Sequence, residues 1–224
     1  MSDGKKMAFT PKVVASDHGY SEEDLARADT YGLLAEWFAR APTDDFFNRL
    51  ATSPAIPVAD QSDLANAWRA LMDAVSRANP GEAGDEFDAL FVAVGKPPVA
   101  LHASVYMGGS MNQTVLVELR SDLAVMGLET NSDKGETEDH FATLCEIMRY
   151  VIAAPDAKGS TLVEQQRFFA SYFQPWADAM FESVQEQPQA KVYAAVASFA
   201  KSFFAIERLS FDIYSASLDA AHTP

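Results

Sequence analysis

The side chains best suited to polar chemistry gather at Glu136, Glu138, Asp139 and His140, just ahead of an apolar run that starts at Phe141. A carboxylate in this position can accept paired hydrogen bonds from an arginine fork, or it can stabilise the positive end of the helix it precedes. The residues leave both roles open, and His140 by type is a structural, surface or functional imidazole. Upstream, Ser104 and Tyr106 lie in an irregular stretch, where hydroxyl groups either line a surface or satisfy loop backbone. Leu90 and Phe91 follow Glu86 in a helix-like run and by default pack inward. Catalytic patterns are missing from the same region. No Glu-x-x-His spacing occurs, and Gly108-Gly109-Ser110-Met111-Asn112 is not a Gly-x-Ser-x-Gly elbow. A single Cys145 excludes an internal disulfide and any multi-cysteine metal site within one chain.

The elements that must position these residues are helical. Ser21 caps a first helix whose buried side holds Tyr31, Leu34, Ala35 and Phe38, widened by Leu33 and Trp37, and which ends near Ala41-Pro42. Thr43 caps a short helix over Asp44 to Leu50, and Ser62 opens a third that Asn79-Pro80-Gly81 stops. A helix from about Asn112 to Leu128 buries Val115, Leu116, Leu119, Leu123 and Met126. Another, starting near Thr137, carries Phe141, Leu144, Cys145, Met148, Val151 and Ile152 on one side, which makes Cys145 a core residue. Thr161 and Glu164 have capping-box spacing, and Gln174-Pro175-Trp176 begins a new or kinked helix. In the last and longest helix Val192, Val196, Phe199, Phe203, Ile206, Ser210 and Ile213 form an apolar stripe of alternating four and three steps, with Phe204 and Phe211 beside it.

Between these helices runs a long loop around residues 96–111. Loops longer than about 12 residues in a compact domain are functional or disordered. Val99, Leu101, Val105, Tyr106 and Met107 make this one too apolar for disorder, so it reads as a packed, extended loop lining a binding surface. The pattern predicts an all-α fold of roughly eight to ten helices. Residues 1–20 read as a loose arm, 21–224 as one helical domain, and 129–135 as a plausible hinge.

The formal charge of −15 disfavours nucleic acid and favours encounter with basic partners. No stretch approaches the roughly 18 continuous apolar residues of a membrane span, and the N-terminus lacks the apolar run of a signal peptide. With the lone cysteine, this points to a cytoplasmic protein.

Glu86-xxx-Leu90-Phe91, Ser104-Val105-Tyr106, Glu138-Asp139-His140 and Phe169-xxx-Phe173-Gln174-Pro175-Trp176, preceded by Arg27-Ala28-Asp29-xx-Gly32-Leu33-Leu34-Ala35, together resemble the TorD/DmsD family of molybdoenzyme maturation chaperones. The resemblance covers nearly the whole chain through the order and separation of its pieces. It implies a non-enzymatic, cytoplasmic, all-helical chaperone with no cofactor of its own. Its partner would be the twin-arginine leader and body of an apo-oxidoreductase, held back from export until the molybdopterin cofactor is inserted. Leu90, Phe91, Ser104, Tyr106, Asp139 and His140 would form the leader groove, with Glu86, Glu136 and Glu138 as an acidic rim. Where several relatives carry a tryptophan- and proline-rich loop this chain has Val99-Ala100-Leu101-His102-Ala103, a departure that bears on which leader is accepted. The family's helical halves exchange between chains, so monomer and domain-swapped dimer are both compatible with the resemblance. The runner-up is a chaperone that contacts only the body of a non-exported oxidoreductase subunit; an all-α regulatory or scaffold protein is the broader alternative.

Overall fold

The computed structural model describes residues 21–53, 60–92, 95–108, 113–128, 137–153 and 161–221. Among the described residues it contains α1 (Glu22–Ala39), α2 (Asp44–Ala51), α3 (Asp63–Arg77), α4 (Pro80–Phe87), a π-helical turn (Asp88–Val92) and α5 (Ala103–Tyr106). They are followed by α6 (Gln113–Met126), α7 (Phe141–Ala153), α8 (Leu162–Tyr172), α9 (Ala177–Gln185) and α10 (Val192–Ala221). No strand forms among these residues; the β feature is one isolated antiparallel bridge between His102 and His140. The expected N-terminal arm and the 129–135 hinge lie outside the described residues, as does Glu136.

Local chemistry sets most helix starts. Ser21, Thr43, Ser62, Asn79 and Thr161 each accept a hydrogen bond from a backbone amide in the first turn, and Ser21, Asn79 and Thr161 complete reciprocal capping boxes. Asn79-Pro80 therefore does more than stop α3, because Asn79 caps α4 with Pro80 in its first turn. Helix α1 lies along α7, while α10 runs across α3, α4, α8 and α9. The interior between them is largely aromatic. Phe141 meets Phe38 at 5.0 Å and Phe181 at 5.6 Å in edge-on contacts, and Phe204 joins Phe173, Phe169 and Phe181. Cys145 is fully buried in this core.

Helix α10 corrects the expected stripe. Val192, Val196, Phe199 and Phe203 are buried, but Ile206 and Ile213 are 42% and 62% exposed; burial passes to the flanking Phe204 and Phe211, as their place beside the stripe suggests, and to Glu207. Alternating steps of four and three follow a 3.5-residue period, which drifts about 20° per heptad against a straight α-helix. Over the length of α10 the true core face rotates away from the apparent stripe. A polar residue at the new face, Glu207, is buried because Arg27 of α1 grips both its oxygens at 2.7 and 3.0 Å and Tyr31 donates to it at 3.0 Å.

Candidate functional site

The segment 95–106 is more structured than an extended loop. It begins at Gly95, whose φ of 100° is one that side-chain-bearing residues rarely adopt, so the chain turns sharply before Lys96. The amide of Val99 then donates to the carbonyl of Leu90 at 3.1 Å, which ties the segment to the π-helical turn. Val99, Leu101 and Ala103 are buried as their alternation suggests, but the pattern ends there: the chain coils into α5 and leaves Val105 exposed.

Asp139 and His140 explain why it coils. The expected helix start near Thr137 is displaced to Phe141, because residues 137–140 are drawn into a turn that joins α5 to α7. The Asp139 carboxylate accepts from the Ser104 amide at 2.9 Å and from the Thr137 hydroxyl, and its carbonyl accepts from the Ala103 amide at 3.1 Å. Asp139 therefore caps α5 across a separation of 35 residues. Burial would raise its pKa, but the hydrogen bonds from Ser104 and Thr137 outweigh it and hold the carboxyl below its usual range. His140 performs the matching task for α7: its Nδ1 accepts from the Ala142 amide at 3.2 Å, which requires a neutral ring. Burial, then the neighbouring His102 at 5.0 Å between ring centroids, lowers its pKa to about 4, opposed by Asp139. Back to back, the two side chains hold two helix N-termini together.

Over this junction opens a cleft of about 720 Å³, lined by the end of α1 (Phe38–Ala41), by Phe87, Phe91 and Val92, by residues 96–102 with Val105 and Tyr106, and by His140 and Ser183. Phe91, Tyr106 and His140, three of the expected site residues, line it directly. Leu90, Ser104 and Asp139 lie buried out of the lining, where they position it. Tyr106 donates to the Ala100 carbonyl at 3.1 Å and rests its ring 5.4 Å from Trp176, so it braces the segment as well as facing the cleft.

The two described members of the expected acidic rim, Glu86 and Glu138, have partners within the molecule. The Glu86 carboxylate accepts the amides of Lys191, Val192 and Tyr193 at 2.8, 3.2 and 2.7 Å, which caps α10 and suits its positive end. Glu138 is held by the Arg120 guanidinium through two bonds of 2.9 Å. Among the described residues that line the cleft there is no aspartate or glutamate; its charged members are Arg40 and Lys96, which the sequence reading had not singled out. Val92 and Val105 stand at its wall 59% and 40% exposed, large apolar groups left to solvent. Among the described residues no cluster of histidine, cysteine and acidic side chains is arranged to hold a metal ion, and no helix is long and apolar enough to cross a membrane.

Comparison with known proteins follows from this architecture. No curated protein sequence matches the chain. A crystal structure of a proposed redox enzyme maturation protein from Archaeoglobus fulgidus superposes with a TM-score of 0.53 at 16% identity, over 87% of this chain and 98% of that one, so the two share a fold. The sequence profile described as nitrate reductase delta subunit matches residues 58–182. That span runs from before α3 to within α9 and includes the π-helical turn, α5, the Asp139–His140 junction and most of the cleft wall. Covering more than half of the sequence, it establishes that the chain belongs to the nitrate reductase delta subunit family.

Proposed function

We propose that the chain is a maturation chaperone for an oxidoreductase and that it holds an apolar segment of the apo-subunit in the cleft beside α5, without turnover. The observation that carries this reading is the cleft itself: an apolar trough whose wall exposes Val92 and Val105 and whose floor is fixed by the Asp139–His140 junction. Exposed aliphatic groups on a rigid concave wall gain by covering. In this reading Phe91, Tyr106 and His140 touch the segment, while Leu90, Ser104 and Asp139 keep the wall in place. The family match and the shared fold with a redox enzyme maturation protein support an oxidoreductase as the partner. The likeness to the TorD/DmsD chaperones narrows it to a molybdopterin-dependent enzyme. Release follows when the folded, cofactor-loaded subunit no longer presents the segment, a difference in affinity between two states of the partner that needs no nucleotide.

Two kinds of segment suit an apolar wall: the stretch behind the arginine pair of a twin-arginine leader, and a stretch of the enzyme body. The overall charge of −15 favours encounter with the first. The second is favoured by the engagement of Asp139, Glu138 and Glu86 within the molecule, which leaves those carboxylates already bonded when an arginine pair arrives.

The test is a titration of the purified chain with apolar peptides, including leader peptides with Arg-Arg and Lys-Lys pairs, against wild type and a Val92→Asn/Val105→Asn variant. Both substitutions lie at exposed positions and leave the core intact. Each valine is about half uncovered and would lose about 1 kcal/mol of burial, so the pair should weaken binding about thirty-fold. Unchanged affinity in the variant would place the segment elsewhere.

A further inference from the structure

We infer that the cleft mouth is a carboxylate reader: the segment it takes is apolar and carries an aspartate or glutamate at its flank, held by Arg40 and Lys96. This rests on the reading above that the cleft holds a segment of the apo-subunit, and it names the chemistry of that segment.

Arg27, Arg49, Arg77, Arg120, Arg149, Arg167 and Arg208 each sit in an ion pair with a carboxylate, and Arg69 is hydrogen-bonded to the Asp60 carbonyl and to Asn66. Among the described arginines Arg40 alone has no hydrogen bond or ion pair, in a chain where 32 acidic residues outnumber 17 basic ones. Even amid such an excess of carboxylates, no described acidic side chain pairs with the Arg40 guanidinium. Arg40 occupies the extended C-cap of α1, at the cleft. Lys96, also without a partner among the described residues, reaches the same cleft from the turn that Gly95 makes.

The two cations therefore come from separate elements to one mouth that, among the described residues, contains no acidic side chain. The same cleft is lined by the apolar Phe38, Phe91, Val92, Val99 and Leu101. An arginine fork binds a carboxylate through paired hydrogen bonds, and a lysine adds a point charge beside it. Charge complementarity of this kind fixes register and rejects the opposite sign more than it adds raw affinity. At physiological salt the Debye length is about 8 Å, so contact at the mouth is governed by Arg40 and Lys96, whereas the −15 acts on distant approach and is screened.

The two fields make opposite demands, which gives the experiment a sign. Peptides sharing one apolar core, capped at both ends and flanked by glutamates, glutamines or lysines, are titrated into the full chain by fluorescence anisotropy at about 0.15 M salt. The glutamate peptide should bind about five-fold tighter than the glutamine peptide, as expected for partly exposed pairs, and the lysine peptide weakest. In an Arg40→Gln/Lys96→Gln variant the three affinities should converge on that of the glutamine peptide in wild type. Equal affinities in wild type, a preference for lysine, or a glutamate preference that survives the double variant would overturn the inference. If the glutamine peptide binds and is weakened by Val92→Asn/Val105→Asn while flank charge is ignored, only the carboxylate reader falls. If no peptide binds, the chaperone reading of the cleft falls with it.

Discussion

Protonation of His140 should cost the fold a measurable share of its stability in mildly acidic solution. Its ring is 4% exposed, accepts the Ala142 amide through Nδ1 and has a folded pKa of about 4. In the unfolded chain an imidazole titrates near 6.5. Between these values the unfolded state binds a proton that the folded state does not, so stability is full above about pH 6.5 and falls as the pH drops, levelling near 4. The gap of about 2.5 units, at about 1.4 kcal/mol per unit, gives a loss of about 3 kcal/mol, a large part of the 5–15 kcal/mol typical of a domain. Urea denaturation followed by tryptophan fluorescence from pH 7 to 4.5 reads this directly. His140→Asn is the control, because asparagine retains the capping acceptor and does not titrate. The difference in slope between wild type and variant isolates His140 from the other three histidines and from Asp139, whose depressed pKa confines its contribution to lower pH. Parallel slopes, or an NMR titration of the His140 ring near 6.5 in the folded protein, would refute the assignment of a neutral cap.

Two further substitutions probe the charges that anchor α10. Glu207→Gln removes the carboxylate that Arg27 grips in the buried seam between α1 and α10. It should cost about 3–5 kcal/mol and speed amide exchange over residues 204–211; a loss under about 1 kcal/mol would mean that the pair is relaxed in solution. Glu86→Gln weakens three bonds to the first amides of α10 and should cost about 2 kcal/mol in urea denaturation while leaving peptide affinity at the cleft unchanged. A drop in that affinity with stability intact would return Glu86 to the binding surface.

How far the sequence revealed this structure depended on the range of each interaction. Ser21, Thr43, Ser62 and Thr161 were legible as helix starts because a cap bonds an amide within its own first turn. The core face of α7, with Phe141, Cys145 and Met148, was legible because it repeats over several turns. Asp139 was not: as an acid ahead of a helix it suggested either that helix's own dipole or an arginine ligand. In the structure its carboxylate accepts from the Ser104 amide 35 residues away, a partner that no local pattern announces. Nothing local in the sequence marks Glu207 for burial, because its counter-charge comes from Arg27, 180 residues distant. Even the stripe on α10 misled, since two nearby periods fit the same residues and only packing distinguishes them.

The cleft's charge was the least legible feature, and the reason is physical. Net charge sums over the whole surface, but a bound segment samples only the few ångströms around it. The −15 of this chain correctly describes the field a partner meets on approach, and it invites the further step that the binding surface is acidic too. The described acids that step would draw on have bonds within the molecule: Asp139 caps α5, Glu86 caps α10 and Glu138 holds Arg120. What remains at the mouth is Arg40, which no described carboxylate pairs with. Arg40 is an ordinary exposed arginine in the sequence, and it becomes informative only when the other described arginines are seen to be bonded. A segment entering this cleft is therefore selected by the local pair of cations against the sign of the whole, and a preference for acidic flanks on so acidic a protein is a result that overall charge alone does not produce.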